Sequence, residues 1–150
     1  MHVLSPSPGL YNYQLDPAVT VATAQNSNTE VYDMLTSWPA RFAGLATLPM
    51  QDVLTAIAEL ERVMMHLGFK GAMINDPVNG RTLDDPAFLP FWKAAEQMGA
   101  LILFHQGGEP LVARRIARDH LPNSVGNLCV GLSHRYRRRR PGCFRHRLAL

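Results

Sequence analysis

Apolar positions along this chain keep two alternating rhythms. Short unbroken runs occur at Phe42 to Leu48, Phe69 to Ile74 and Ala100 to Phe104, and the last ends in His105. Between them, apolar residues recur at three- and four-residue spacing. The runs predict buried strands at about 42–47, 69–74 and 100–105, and the spaced segments predict helices. Strands alternating with helices give an α/β fold class, with parallel strands joined by right-handed crossovers.

The clearest helix carries Val53, Ile57, Leu60, Met64 and Leu67 on one face, with Glu59, Glu61 and Arg62 between them. Asp52 is placed to cap its start and Gly68 to take a left-handed conformation at its end. Upstream, Thr20 to Trp38 reads as a helix with Val31, Leu35 and Trp38 on one stripe, ended by Pro39. Downstream, Asp85-Pro86 opens a helix with Phe88, Phe91 or Trp92, Ala95 and Met98 inward, closed by Gly99. Asn79-Gly80 predicts a tight turn, and Pro110 to Asp119 a further helix. Residues 1–20 show no sustained period and read as an irregular lead-in, residues 21–128 as the α/β body, and residues 129–150 as a divergent tail.

Three parallel strands leave two open sheet edges. Each large apolar side chain left in water forfeits roughly 1.5–3 kcal/mol, against a usual net stability of about 5–15 kcal/mol. The isolated polypeptide is therefore expected to be marginal or partly molten. A cooperative thermal transition from a monodisperse monomer would contradict this.

Composition changes the picture in one respect. The chain has 150 residues, 47% of them hydrophobic, enough for one domain with a real core. Its formal charge of +3 is misleading, because seven arginines and no acid fall after residue 128. The first 128 residues carry eight bases against twelve acids. Global charge is thus no argument for nucleic acid, and no specific nucleic-acid partner is expected. No apolar stretch approaches the ~18 residues of a membrane span, and the start lacks a secretory pattern. Cys129 and Cys143, the only cysteines, do not demand a stapled secreted scaffold, so the expected setting is cytoplasmic.

In parallel α/β folds ligands meet the carboxyl ends of the strands. His105 lies at such an end. Two roles fit an imidazole there: ligating a divalent metal or moving a proton, or capping the strand through a hydrogen bond. The loop after the middle strand holds Asn75, Asp76, Asn79 and Arg81 on the same rim. Asp76 can contact a metal or cap a turn, and Asn79 and Arg81 can bind substrate, the guanidinium holding a carboxylate. Gln106 and Glu109 follow His105 without making a ligand cluster. His2, His66 and His120 read as structural or solvent-facing. Cys129, His134, Cys143 and His146 match no common zinc spacing, and Arg137 to Arg140 lacks an aromatic platform or a reading helix.

Several segments in this order resemble the amidohydrolase-related family. They are Arg41-Phe-Ala-Gly-Leu-Ala-Thr-Leu-Pro-Met-Gln-Asp52, Leu67-Gly-Phe-Lys-Gly-Ala-Met-Ile74, Val78-Asn-Gly-Arg81, Asp84-Asp-Pro-Ala-Phe-Leu-Pro-Phe-Trp92, Leu103-Phe-His105 and Leu121-Pro-Asn-Ser-Val-Gly-Asn127. Within the family they are similar to aminocarboxymuconate-semialdehyde decarboxylases and related aromatic-acid decarboxylases. The likeness covers roughly residues 24–127 and stops abruptly before the arginine-rich tail.

The resemblance implies a partial (β/α)8 TIM barrel, with this chain supplying the third, fourth and fifth strands. It implies a divalent metal, zinc, at the carboxyl rim, and places a metal-ligand histidine of the family on His105. A first-strand His-x-His pair, a later acid/base histidine and a late metal-binding aspartate have no counterpart here. Gln106 stands where relatives often have proline, and Pro77 where many have histidine. The implied activity is that of a metal-dependent carboxy-lyase for carboxylated aromatic or muconate-type substrates, this chain being an inactive fragment, with oligomerisation open. A metal-dependent hydrolase and a non-catalytic, partner-binding fragment are the alternatives.

Overall fold

The computed structural model describes residues 1–105 and 127–131. In chain order it contains β1 (His2–Leu4), α1 (Pro17–Ser37), β2 (Phe42–Gly44), α2 (Val53–His66), β3 (Gly71–Ile74), α3 (Leu89–Met98), β4 (Leu101–His105) and β5 (Asn127–Gly131). Short 3-10 turns occupy Pro8–Leu10 and Pro86–Phe88. This alternation is an α/β fold, an incomplete barrel-like arrangement.

α2 starts and stops where the sequence signals predict, whereas α1 begins three residues earlier than expected, at Pro17, and the segment opened by Asp85-Pro86 is a 3-10 turn before α3 begins at Leu89. Asp52 accepts hydrogen bonds from the amides of Leu54 and Thr55, both 3.1 Å. Asp85 caps the Pro86 turn through the Ala87 amide, and Asp16 caps α1 through Ala18. Gly68 and Gly99 take φ of 70° and 64° after α2 and α3. Two further expectations shift. The buried stripe of α2 is Ala56, Glu59, Leu60 and Val63, with Val53, Ile57 and Met64 only partly covered. Trp38, expected inward, caps α1 and is 57% exposed, with Arg41 over its ring.

The strands form a parallel ladder. β1 pairs with β2 from His2–Phe42 to Leu4–Gly44, and β3 pairs with β4 from Gly71–Leu101 to Ile74–Phe104. A parallel bridge between Ala46 and Ala72 joins the two pairs. Its bonds run from the Ala46 amide to Gly71 O (2.9 Å) and from the Met73 amide to Ala46 O (2.7 Å). Ladder bonding thus continues past Gly44, through the Leu45 and Ala46 amides, close to the predicted extent of that run. At Gly71 the sheet is so close that a Cβ would lie 1.9 Å from Leu101 O, and its φ is 147°. Only glycine fits there.

Two features were not foreseen. The lead-in is not wholly irregular, since His2–Leu4 forms the outer strand of the ladder. β5 pairs with the far edge of β4 in antiparallel register, from Leu101–Gly131 to His105–Asn127, whereas a (β/α)8 barrel continues in parallel. The predicted helix at 110–119 lies outside the described residues.

The core runs between the ladder and helices α1, α2 and α3, built from Leu45, Leu48, Met50, Leu60, Val63, Ile74, Phe91 and Ile102 among others. A buried polar set crosses it. Asn28 of α1 accepts from the Thr47 amide at 2.9 Å, and its Nδ2 donates to Thr47 O at 3.0 Å and to Glu59 Oε1 at 2.7 Å. Arg62 completes the set with two hydrogen bonds to the Glu59 carboxylate, each 2.8 Å. This bonding holds the Arg62 guanidinium above its usual value.

Candidate functional site

The carboxyl ends of β1 to β4 define one rim, and the loops leaving β1, β2 and β3 build it. After β1 the chain turns through Pro8–Leu10 and places Tyr11 and Tyr13 inward, 6% and 4% exposed. Their rings stack at 5.5 Å. The Asn75 amide, directly after β3, donates to the Tyr13 hydroxyl oxygen at 3.3 Å. Burial pushes both phenols well above the usual tyrosine range. For Tyr13 the Asn75 hydrogen bond opposes the shift, and nearby Tyr11 adds a smaller raise.

After β3, Asn79 and Gly80 take φ of 49° and 79°. Val78 and Arg81 exchange both backbone hydrogen bonds at 2.9 Å. This is the two-residue turn that Asn-Gly favours, because both central residues need positive φ. It projects the exposed Asn79 and Arg81 from the rim. Asp76 does not sit free beside them. Its Oδ1 accepts from the Leu83 amide at 3.1 Å and so fastens the loop. Leu83 O in turn accepts from Trp92 Nε1 at 2.9 Å, tying the loop to α3.

His105 is the last residue of β4. Its Nδ1 is buried and has no hydrogen-bond partner among the described residues. The other buried side-chain atoms of this kind among the described residues are the Tyr11 hydroxyl and both amide atoms of Gln51. Gln51 lies in the loop between β2 and α2. Each of these groups therefore belongs to a segment at the carboxyl end of a strand. Buried polar atoms are normally paired, so their concentration on one rim marks it as the part of the fold most suited to a ligand.

A cavity of about 280 Å³ opens between the loops after β2 and β3, lined by Gln51, Val53, Val78, Asn79, Arg81, Ala87 and Phe88. His105 is not among its lining residues. The structure thus brings Asn79 and Arg81 together in one cavity and leaves His105 at a separate point of the rim. Sequence reasoning missed Tyr11 and Gln51. Gln51 follows a strand predicted to be buried, and that position was the available signal. Gln106, Glu109, His120 and the histidines and arginines of the tail lie outside the described residues, as does the Cys129 side chain.

A lone imidazole nitrogen is a place for one metal ligand. Among the described residues no three His, Cys, Asp or Glu side chains come together to hold an ion. The described residues therefore fit part of a metal site and not a whole one. No helix among them is long and apolar enough to cross a membrane.

Comparison with known proteins extends this reading. The sequence model of the amidohydrolase family matches residues 5–132, a longer stretch at both ends than the resemblance first traced. The chain is similar to 2-amino-3-carboxymuconate-6-semialdehyde decarboxylase of Dictyostelium discoideum, 36% identical over 126 residues, covering 84% of this chain and 35% of the relative. It is also similar to 2-keto-4-carboxy-3-hexenedioate hydratase of a Sphingobium strain, 33% identical over 101 residues, 62% of this chain and 30% of the relative. Among solved structures it superposes on 5-carboxyvanillate decarboxylase of Novosphingobium aromaticivorans in complex with manganese and a nitrobenzoic acid. There the TM-score is 0.69 and the identity 27%, over 82% of this chain and 35% of the neighbour. The chain spans about a third of the length of these proteins.

The manganese in that neighbour corrects the expectation of zinc. One histidine suits zinc, but metal choice follows the whole donor set and its geometry, and oxygen donors favour harder ions. A sequence holding one candidate ligand does not carry that information.

Proposed function

The chain belongs to the amidohydrolase family, and on that premise we propose that it is a segment of a carboxy-lyase acting on carboxylated aromatic or muconate-type substrates. The fold is that of the family's metal-dependent decarboxylases and hydrolases. The observation that carries the finer reading is His105, whose buried Nδ1, without a hydrogen-bond partner among the described residues, stands at the carboxyl end of β4. In this reading His105 is one ligand of the manganese-type centre, and the other donors come from outside the described residues. Asn79 and Arg81 face the substrate, and the guanidinium holds a carboxylate by charge-assisted hydrogen bonds. His105 does not serve as acid/base as well, because ligation occupies its lone pair.

The decarboxylases among the relatives support carboxy-lyase over hydrolase chemistry. The hydratase relative favours a second reading, addition of water to a carboxylated alkene, which keeps the same carboxylate recognition. As written the chain is an inactive segment, with a cytoplasmic setting.

Manganese titration of the full chain tests the ligand. Wild type binds one ion weakly, and His105→Ala abolishes that binding. Equal affinity for both proteins removes the assignment. Carbon dioxide release from 2,6-dihydroxybenzoate by the 150-residue chain would overturn the inactive-segment reading. Translation of the flanking DNA in all frames tests the parent enzyme: a His-x-His strand upstream and a histidine- and aspartate-bearing half-barrel downstream are expected.

A further inference from the structure

Asn79 and Gly80 form the tip of the turn after β3, and both are exposed. Val78 and Arg81 close the turn behind them with two backbone hydrogen bonds of 2.9 Å. Among the described residues neither the Asn79 side-chain amide nor the Gly80 backbone N–H has a hydrogen-bond partner. A Cβ placed on Gly80 would meet nothing within 4 Å among the described residues, so the space beside its nitrogen is open. An asparagine amide carbon and the next residue's nitrogen can close a succinimide ring, and glycine puts no side chain in the way. The other asparagines lack this combination. Asn26 is exposed but lies inside α1, where the next amide belongs to the helical ladder. Asn28 is buried and bonded to Thr47 and Glu59. Asn12 and Asn75 are half-buried and precede Tyr13 and Asp76.

We propose that Asn79 is a site of spontaneous deamidation, and that its product sets a carboxylate beside Arg81 on the cavity wall. The step begins when the turn opens locally, because the Gly80 nitrogen must swing toward the Asn79 side chain. Solvent base takes the Gly80 amide proton, the nitrogen bonds to Asn79 Cγ, and the Cγ–Nδ2 bond breaks as ammonia leaves. Water then opens the succinimide at one of its two carbonyls. One product is aspartate, and the other is isoaspartate, whose main chain runs through the side-chain carbon. Nothing is oxidised or reduced. Both products carry a carboxylate two residues from Arg81, and Asn79 and Arg81 line the same cavity. The new anion competes for the guanidinium with any carboxylate arriving from solvent, so the cavity loses anion affinity as the chain ages. That consequence rests on the carboxylate reading of Arg81 given above, and the deamidation itself does not.

Peptide mass spectrometry of the full chain tests this after incubation in mildly alkaline buffer, beside a sample held in urea. Trypsin cuts after Lys70 and Arg81, and fragmentation of the released segment separates Asn79 from Asn75. In the folded chain Asn79 should gain a single mass unit, as a mixture of aspartate and isoaspartate, while Asn26 stays an amide. The urea sample should convert faster at Asn79, since no turn has to open there. Asn79→Gln should abolish the conversion, and Gly80→Ala should slow it several-fold in urea, where the fold plays no part. Asn79 unchanged in the folded chain while the urea sample converts, equal conversion at Asn26, or aspartate without isoaspartate overturns the proposal. Calorimetric titration with benzoate reads the consequence for the cavity. Asn79→Asp should bind benzoate several-fold more weakly than wild type, and equal affinity overturns that part. A wild type that binds no benzoate counts against the carboxylate reading and leaves the mass-spectrometric result standing.

Discussion

Two regions of this molecule bury polar groups, and they treat them in opposite ways. Under the ladder, Asn28, Thr47, Glu59 and Arg62 bond one another across α1, α2 and the loop after β2. At the carboxyl rim, Tyr11, Gln51 and His105 hold buried atoms with no partner among the described residues. The same chain that pairs its interior amides so fully leaves these open. The contrast teaches that the rim is shaped for something other than stability, because an unpaired buried group costs roughly 1–3 kcal/mol.

The contrast can be broken or sharpened by substitution, read as shifts of the urea-unfolding curve. The largest effect is expected at Gly71→Ala, where the new methyl would overlap Leu101 O and the φ of 147° adds strain. A loss of about 4 kcal/mol or more is expected, which abolishes the folded baseline. A urea-unfolding curve indistinguishable from that of the wild type would show that the β3–β4 contact is looser than described. Next, Glu59→Ala removes a carboxylate that is 3% exposed, leaves Asn28 Nδ2 with Thr47 O alone of its two acceptors, and takes away both Arg62 hydrogen bonds. It should cost about 2–3 kcal/mol. A neutral result would erase the distinction between interior and rim.

The rim should answer with the opposite sign. Gln51→Leu deletes two unpaired amide atoms and should stabilise the chain by about 1 kcal/mol. Tyr11→Phe removes one unpaired hydroxyl and should stabilise by about 0.5–1 kcal/mol. If both variants are destabilised, their polar atoms are satisfied in solution and the rim is no different from the interior.

What was legible in the sequence was local. The caps at Asp52 and Asp85, the turn at Asn79-Gly80 and the ends at Gly68 and Gly99 depend on neighbours a few residues away, and each formed as expected. The parallel order of the three apolar runs also held, because runs buried on both faces read as continuous hydrophobic stretches. What escaped depends on distant partners. β1 is only His2–Leu4 and is specified by Phe42–Gly44, some forty residues on. Glu59 looks solvent-facing by its neighbours, but Asn28 draws it inward from 31 residues away. Trp38 fits an apolar stripe by spacing, yet α1 ends at Ser37 and the ring turns out over Arg41. In the candidate site, His105, Asn79 and Arg81 were visible as strand-end residues. Tyr11 and Gln51 were not, because being unpaired is a property of surroundings and leaves no mark in the one-letter code.

Strand β4 already has neighbours on both sides, β3 running with it and β5 running against it. A strand has only two flanks, so sheet growth toward closure is blocked at that point. A strand running parallel to β4 can pair with that flank only by displacing Asn127–Gly131, which occupies five register positions there.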